Sequence, residues 1–600
     1  MSRFYEPQQP RYANNVGVRD DPAHHQPTPS VFYIEYGDYS MSAITRIFIE
    51  VFMSYLRFSM GFVLMSLAFG AAAQSMPNAG SVARDAQDKP AVLPPASTAP
   101  TMDAPANIST DTTPIAVKSV RITGATVFPE SELMALVADA VGQSLTLGQL
   151  QLLAHKVTAY YQAQGYPLAR AFIPAPQKIA DGVVTIEVLE GKISATKLNN
   201  QSRVSDAVAQ KFLSNAMDEN DMMRQDRAER ALHLIKDLAG TDYVGYRLAA
   251  GENKGESVLN VNLHPAPLMD GSVSEDNYGS KSTGEWRTRA TVNINSPFGH
   301  GEQFSLQGMS SFKGVNYGRF GWSMPVGADG LSWRGSVSHT EYDLGGAFKD
   351  LDATGHSNSF ETGFRYPWLR TERRNVFLTG GVEYRDLRDD VGATATRTDK
   401  NMKLGNLGVN ASFQDAVIAG GMTQLGMTHT FGELSIDSPS ARAIDAVSAK
   451  TNGQFYKLNL NASRQQYLTQ KFSVVASANW QWASKNLDSS EQLSLGGVDG
   501  VVAYHSNDVS VDRGWTAKLE ARYAITPYMS LAGFYDWGGG HLNAKPYRTD
   551  MDNKVRLNGG GAALYMNYRS FDVQVVAAIG KDRYTDQRSP RVWLQAGYRF

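Results

Sequence analysis

From about residue 270 to the C-terminus the chain shows no helical periodicity, and apolar and polar residues alternate with a period of two. In 285–295, Trp286, Thr288, Ala290, Val292 and Ile294 share one side, and Arg287, Arg289, Thr291, Asn293 and Asn295 the other. In 471–482, Phe472, Val474, Ala476, Ala478, Trp480 and Trp482 oppose Ser473, Ser477, Asn479 and Gln481. In 516–523, Ala517, Leu519, Ala521 and Tyr523 oppose Lys518, Glu520 and Arg522. A strand sends successive side chains to opposite faces. One face is therefore apolar and aromatic and the other charged, which suits a barrel with lipid outside and water inside rather than a sandwich with dry inner faces.

Sixteen such segments centre near residues 274, 290, 307, 320, 337, 363, 381, 408, 425, 459, 477, 519, 532, 560, 575 and 595. Short turns such as VGADG, RTERR, YLTQK, ITPY and YRSF alternate with long polar segments. Short turns on one rim, long loops on the other and an even strand number are the features of outer-membrane barrels, and parity puts both barrel ends on the periplasmic rim. The last segment places Val592, Leu594, Ala596, Tyr598 and the terminal Phe600 on one face, an ending of the kind that barrel-assembly machinery reads. The stretch 496–515, GGVDGVVAYHSNDVSVDRGW, lies in the longest predicted loop and has no strand pattern of its own. If the barrel is a conduit, this loop is the candidate to open or close it, and Asp536 in Phe534-Tyr535-Asp536-Trp537-Gly538 offers it a carboxylate.

Upstream the texture differs. Residues 115–191 read as strand, two helices and two strands: VKSVRITG, a helix with Leu133, Leu136, Val137 and Ala140 on one face, a second with Leu150, Leu153, Val157 and Tyr160 or Tyr161, then LARAFIP and GVVTIEVLEG. The same order recurs in 192–267, so two small α+β domains in tandem precede a barrel domain at 268–600. Residues 74–114 are rich in Ala, Pro, Ser and Thr and are expected to be linker, a helix around 82–89 lacking support. The run 58–69 follows a basic lead-in and is shorter than the ~20 apolar residues of a membrane span. It is expected to be a signal peptide, with Ala71 and Ala73 at the cleavage positions. The preceding residues do not resemble an export signal, so 1–73 is leader, and translation is expected to start at Met41 or Met53.

Composition adjusts this picture in three places. Of 600 residues only 42% are hydrophobic and mean hydropathy is −0.32, values that one-faced strands produce while still spanning a membrane. The absence of cysteine excludes thiolate metal sites, thiol catalysis and disulfides. A net charge of −2 argues against a nucleic-acid partner. No catalytic or metal-ligand spacing and no phosphate loop stands out, so the chain is expected not to be an enzyme and to need no cofactor.

The segment YYQAQGYPLARAFIPAPQKIADGVVTIEVLEGKI resembles the POTRA module of two-partner secretion transporters, the TpsB family of haemolysin- and adhesin-exporting barrels. VSEDNYGSKSTGEWR resembles their first hairpin, Leu495-Gly496-Gly497 and Asp512-Arg513-Gly514 the two ends of their sixth loop, and Phe534–Gly538 their F-x-D-x-G strand motif. The resemblance implies two periplasmic POTRA domains, a sixteen-stranded barrel in the outer membrane, contact with its lipid, insertion by the barrel-assembly machinery, and export of one large unfolded exoprotein of TpsA type. Members carry V-R-G-Y/F at the loop tip, where this chain reads Val501-Val502-Ala503-Tyr504, so the aspartate counterpart Asp536 remains without its usual arginine; His505 and Arg513 are the candidate substitutes. Nor does 75–114 offer a convincing counterpart of the family's plug helix. The edge Leu168-Ala169-Arg170-Ala171-Phe172-Ile173 is the candidate client-binding surface, by β-augmentation, and Arg287, Arg289, Lys518, Glu520 and Arg522 are candidate solvating charges of the lumen. An outer-membrane insertase and a passive porin are the alternative functions.

Overall fold

Asn78 opens the first element of the computed structural model, an eight-residue helix α1 (Ala79–Ala86), where the sequence reading expected linker. The model describes residues 76–87, 109, 111–177, 179, 181–216, 222–506, 508–548, 552–580 and 590–600. The expected leader, with Ala71, Ala73, Met41 and Met53, lies outside them. The Asn78 side chain accepts the Ser81 N–H and the Ser81 hydroxyl caps the Asn78 N–H, a reciprocal box that satisfies two orphan donors. Ala79, Gly80, Ser81, Ala83 and Ala86 are among its buried positions. Side chains this small leave no apolar stripe in the sequence, which is why periodicity missed the helix.

The first small module comprises β1 (Ile115–Ala116), β2 (Ser119–Thr123), α2 (Glu130–Val137), β3 (Ser144–Leu145), α3 (Leu147–Ala163), β4 (Arg170–Phe172) and β5 (Val183–Leu189). Its sheet runs β2-β5-β4, and Leu133, Val137, Leu150, Val157 and Tyr161 pack on Val120, Ile122, Val184, Ile186 and Val188. Of the two tyrosines, Tyr161 is the core residue. The second module repeats the order with β6 (Lys192–Asn200), α4 (Asp206–Ala216), α5 (Gln225–Lys236), β7 (Thr241–Ala250) and β8 (Glu256–Pro265), its sheet running β6-β8-β7.

The barrel begins with β9 (Met269–Asp276), β10 (Arg287–Asn295), β11 (Gln303–Ser310), β12 (Val315–Pro325), β13 (Ser332–Asp343), β14 (Ala353–Arg370), β15 (Arg374–Val391), β16 (Thr396–Asp415) and β17 (Gly421–Ile436). A surface helix α6 (Pro439–Val447) leads to β18 (Gly453–Tyr467) and β19 (Phe472–Ala483). The sixth long loop holds β20 (Leu493–Ser494) and β21 (Ser510–Val511), which pair with each other outside the barrel sheet. This loop therefore does carry strand structure, as a short ribbon at its neck. The wall resumes with β22 (Arg513–Thr526), β23 (Met529–His541), β24 (Lys554–Tyr568), β25 (Phe571–Gly580) and β26 (Arg591–Arg599), and β26 closes on β9. The result is a closed antiparallel barrel of sixteen strands, and each expected centre falls inside its strand. Arg287 pairs across the register with Asp276, and Lys518 with Asp536, so the charged faces read from the sequence face inward together. Trp286, Phe320, Phe360, Phe364, Leu519 and Tyr523 lie exposed on the outer face.

The second module is docked on the short-turn rim. Arg370 donates from Nε and Nη2 to the two carboxylate oxygens of Asp237, both at 2.8 Å, a bidentate pair with fixed geometry. Asn215 donates to Asp329 at 2.6 Å, and Ala328 enters the module's own apolar core. The second module and the barrel are therefore packed together at this rim.

Candidate functional site

The loop between β19 and β22 does not stand in solvent. Its tip turns into the barrel, and Val501, Val502, Ala503 and Tyr504 are all buried. They join Leu495, Val509 and Val511 in one apolar cluster with the inward faces of β23 to β26: Ala532, Phe534, Val555, Leu557, Ala563, Val576, Ala578 and Trp593. Inward side chains are apolar on this side of the lumen, and apolar burial is what holds the tip. Three wall glycines make the seat. A Cβ at Gly538 would lie 2.9 Å from Val501 Cγ2, one at Gly559 3.0 Å from Ala503 Cβ, and one at Gly580 2.8 Å from both Ala503 Cβ and Tyr504 Oη. Only a residue without a side chain lets the loop backbone come this close.

Polar contacts fix the register of the tip. Val502 N–H donates to Asp536 Oδ2 at 3.0 Å, and Trp593 Nε1–H donates to Val502 O at 2.7 Å. Asp536 thus meets the loop at the expected residue, through its main chain instead of an arginine side chain. Three expectations change. Asp536 is fully buried rather than washed by lumen water. Neither proposed substitute donor reaches it: the His505 ring packs edge-on against Trp593 with centroids 5.0 Å apart, while the His505 main-chain N–H donates to Asp508 Oδ2 at 2.8 Å. Arg513 points away and donates from Nε to Ala483 O at 2.7 Å. Asp536 Oδ1 is left without a hydrogen-bond partner. Phe534 and Gly538 flank Asp536 on the same inward face and line the seat. Trp593 was not singled out from the sequence. Its signal was an aromatic on the face opposite Val592 and Leu594.

At the loop's neck Asp512 is fully buried, and its carboxylate accepts from Leu487 N–H, Gln492 Nε2 and Ala544 N–H at 3.2, 2.9 and 2.9 Å. Burial outweighs these donors and pushes its pKa up to about 6.

Helix α1 fills the lumen on the opposite side. Val82 and its small neighbours pack on Met309, Val315, Tyr317, Tyr342 and Leu387 of the wall. Asp389 accepts the Ala79 N–H at 2.6 Å, placing a carboxylate at the positive end of the helix. From the last turn Arg84 donates to Ser489 O and Gln492 O, both at 2.6 Å, and to Ser510 Oγ at 3.1 Å. The helix is therefore tied to the sixth loop itself. The same loop segment is anchored to the wall by Glu491, which pairs with Arg385 and Lys457, and by Asp488, which pairs with Lys400. Burial alone would raise both carboxyls; these cations overcome it and hold them below the usual range. Helix and loop together occupy the lumen from two sides of the wall.

The candidate client edge looks different from its sequence. In β4 only Ala171 points its main chain away from β5, and its N–H is already donated to Thr158 of α3 at 2.8 Å. Ala169 is fully buried, Leu168 packs against the second module, and Arg170 turns back onto Pro167 O and Ala169 O. Phe172 lies under the Lys254 ammonium at 4.6 Å, and Ile173 packs on the module's core. A three-residue edge capped by Thr158 has no free ladder to offer an added strand. The ten-residue β7, paired only with β8, is the longer edge.

Two tandem modules docked under a plugged sixteen-stranded barrel define an outer-membrane transporter of the POTRA-barrel class. A profile of the family described as haemolysin secretion/activation protein ShlB/FhaC/HecB matches residues 255–565, a ShlB-type POTRA profile matches 115–191, and the chain belongs to this family. It is 27% identical to the heme/hemopexin transporter protein HuxB of Haemophilus influenzae over 77% of this chain and 83% of the relative. It is 25% identical to the outer membrane transporter CdiB of Dickeya dadantii over 76% of this chain and 81% of that protein. The fold is shared with CdiB from Escherichia coli at a TM-score of 0.66 and 21% identity, covering 94% of this chain and all of that one. The barrel accordingly lies in the outer membrane with its POTRA modules in the periplasm.

Proposed function

We propose that this protein exports one large unfolded partner polypeptide, of the adhesin or haemolysin type, through its barrel by two-partner secretion, and that α1 and the sixth loop are its movable closures. The observation that carries the reading is the double occlusion. A loop tip seated in a glycine groove and a short helix held by Arg84 are discrete pieces, bound by contacts that part without unravelling the wall. The wall keeps its own closed ladder of sixteen strands whether or not they are present. The client first meets the periplasmic modules: side chains of Arg170 and Phe172 remain partly exposed in the first, and the free edge of β7 can accept an extended chain in the second. The exposed aromatic belt contacts outer-membrane lipid, and the terminal strand ending in Phe600 engages the barrel-assembly machinery during insertion.

Deleting residues 115–191 tests the reading. Export of the partner stops if it is right, whereas a passive porin keeps its conductance. Depletion of many outer-membrane proteins on loss of this chain would instead identify an insertase and refute export of a single partner.

A further inference from the structure

Below the plug, in the periplasmic half of the lumen, the wall opens into a cavity of about 350 Å³ between β11 and β16. Gly321, Gly363 and Gly381 leave the wall bare there, and Arg319, Arg334 and Arg365 border it. One carboxylate lines it, Glu361, which sits 3.8 Å from Arg319. Among the described residues the Arg334 guanidinium makes no hydrogen bond or ion pair, although it is exposed to the cavity. The Arg365 guanidinium stacks 3.5 Å over the Phe377 ring, an arrangement that holds the cation flat and leaves its N–H edges free. Other inward cations are partnered: Arg287 with Asp276, Arg385 with Glu383, Lys400 with Asp488, Lys457 with Glu491, Lys518 and Arg522 with Glu520, and Arg289 with the Ala86 carbonyl. Nor can the nearby periplasmic carboxylate Asp237 serve, being held bidentately by Arg370.

Three guanidiniums around a single carboxylate repel one another until an anion enters. Two present unused donor forks, the geometry that recognises carboxylates in pairs of parallel hydrogen bonds. The cavity lies just inside the rim where the second module docks, through Asp329 on the β12–β13 turn and Arg370 at the end of β14. We infer that this alcove is a binding site for carboxylate side chains of the polypeptide entering the barrel, with Arg334 and Arg365 as its principal ligands. It holds an acidic stretch of the client at the entrance while the occluding pieces move. The inference rests on the export reading for the source of the carboxylates.

The test uses the full-length protein in detergent micelles and a fluorescein-labelled decaglutamate as probe, with a neutral peptide of equal length as control. Anisotropy should show decaglutamate binding that weakens with added salt. Arg334→Gln with Arg365→Gln should weaken it at least about tenfold, and Glu361→Gln should tighten it, because a competing carboxylate is removed. Retained heat-modifiable gel mobility shows that the variant barrels are folded. Unchanged decaglutamate affinity in the double variant overturns the inference. So does displacement of the peptide by inorganic phosphate at equal molar concentration, which would make the alcove a small-anion site. Because binding is read without secretion, its failure leaves the export reading standing. The deletion of 115–191 tests that reading separately.

Discussion

Gly580→Ala places a wedge under the loop tip with little effect on the wall. The three atoms nearest to the added Cβ are Ala503 Cβ at 2.8 Å, Tyr504 Oη at 2.8 Å and Tyr504 Cζ at 3.0 Å, all of the loop tip. Carbon contacts are comfortable near 3.5–4.0 Å, so either the tip lifts or the overlap is borne as strain. Gly580 ends β25 with no left-handed backbone to lose, and alanine suits a strand at least as well as glycine. Overpacking a filled site costs about 1–3 kcal/mol. At 1.4 kcal/mol per factor of ten, the released loop should become roughly 5 to 150 times more populated. The chain has no cysteine, so Val501→Cys, at a fully buried position, supplies a single thiol whose labelling by a polar maleimide reports release. The expected result is faster labelling by that factor in Gly580→Ala, partly reversed by Ala503→Gly, which removes one of the clashing carbons. An unchanged labelling rate in a folded barrel would refute the seat as the element that holds the loop.

Arg84→Met removes three hydrogen bonds between α1 and the loop, two of them at 2.6 Å to main-chain carbonyls. At about 1.5–3 kcal/mol per bond from a charged group, the helix should leave the lumen and single-channel conductance in planar bilayers should rise; wild-type conductance would show that Arg84 is not the latch. Val502→Arg should keep the tip seated, because the new guanidinium finds the unpartnered Asp536 Oδ1. Combined with Asp536→Ala it should release the tip, since an unpaired buried charge costs about 3–5 kcal/mol; equal labelling of Val501→Cys in both backgrounds would exclude that pairing. For Asp512 the folded pKa of about 6 lies above the ordinary ~3.9 of aspartate, so the folded state binds the proton more tightly. Its contribution to stability is fully present below about pH 4 and is lost as pH rises through 6. Asp512→Asn should flatten that part of the thermal-stability profile between pH 4 and 7, and an identical profile would remove Asp512 from the account.

Period-two alternation determined the barrel: strand number, orientation of faces and loop asymmetry are all local consequences of a strand with lipid on one side and water on the other. The two modules were equally legible, because their helices carry Leu and Val at helical spacing. Helix α1 was not, since Ala, Gly and Ser make a helix by capping and close packing rather than by an apolar stripe. The β4 edge misled for a related reason. A strand's sequence does not say whether its outer N–H is already taken, and Thr158 from the preceding helix takes the one at Ala171. At the site, the sequence singled out the tip and Asp536, and the missing arginine suggested a lost contact. Only the tertiary structure decided that Asp536 binds the loop's main chain, because a backbone N–H is present at every non-proline residue and becomes a specific partner only when the chain is brought to it. Gly538, Gly559 and Gly580 do that bringing, from three strands that are adjacent in the sheet and separate in the sequence.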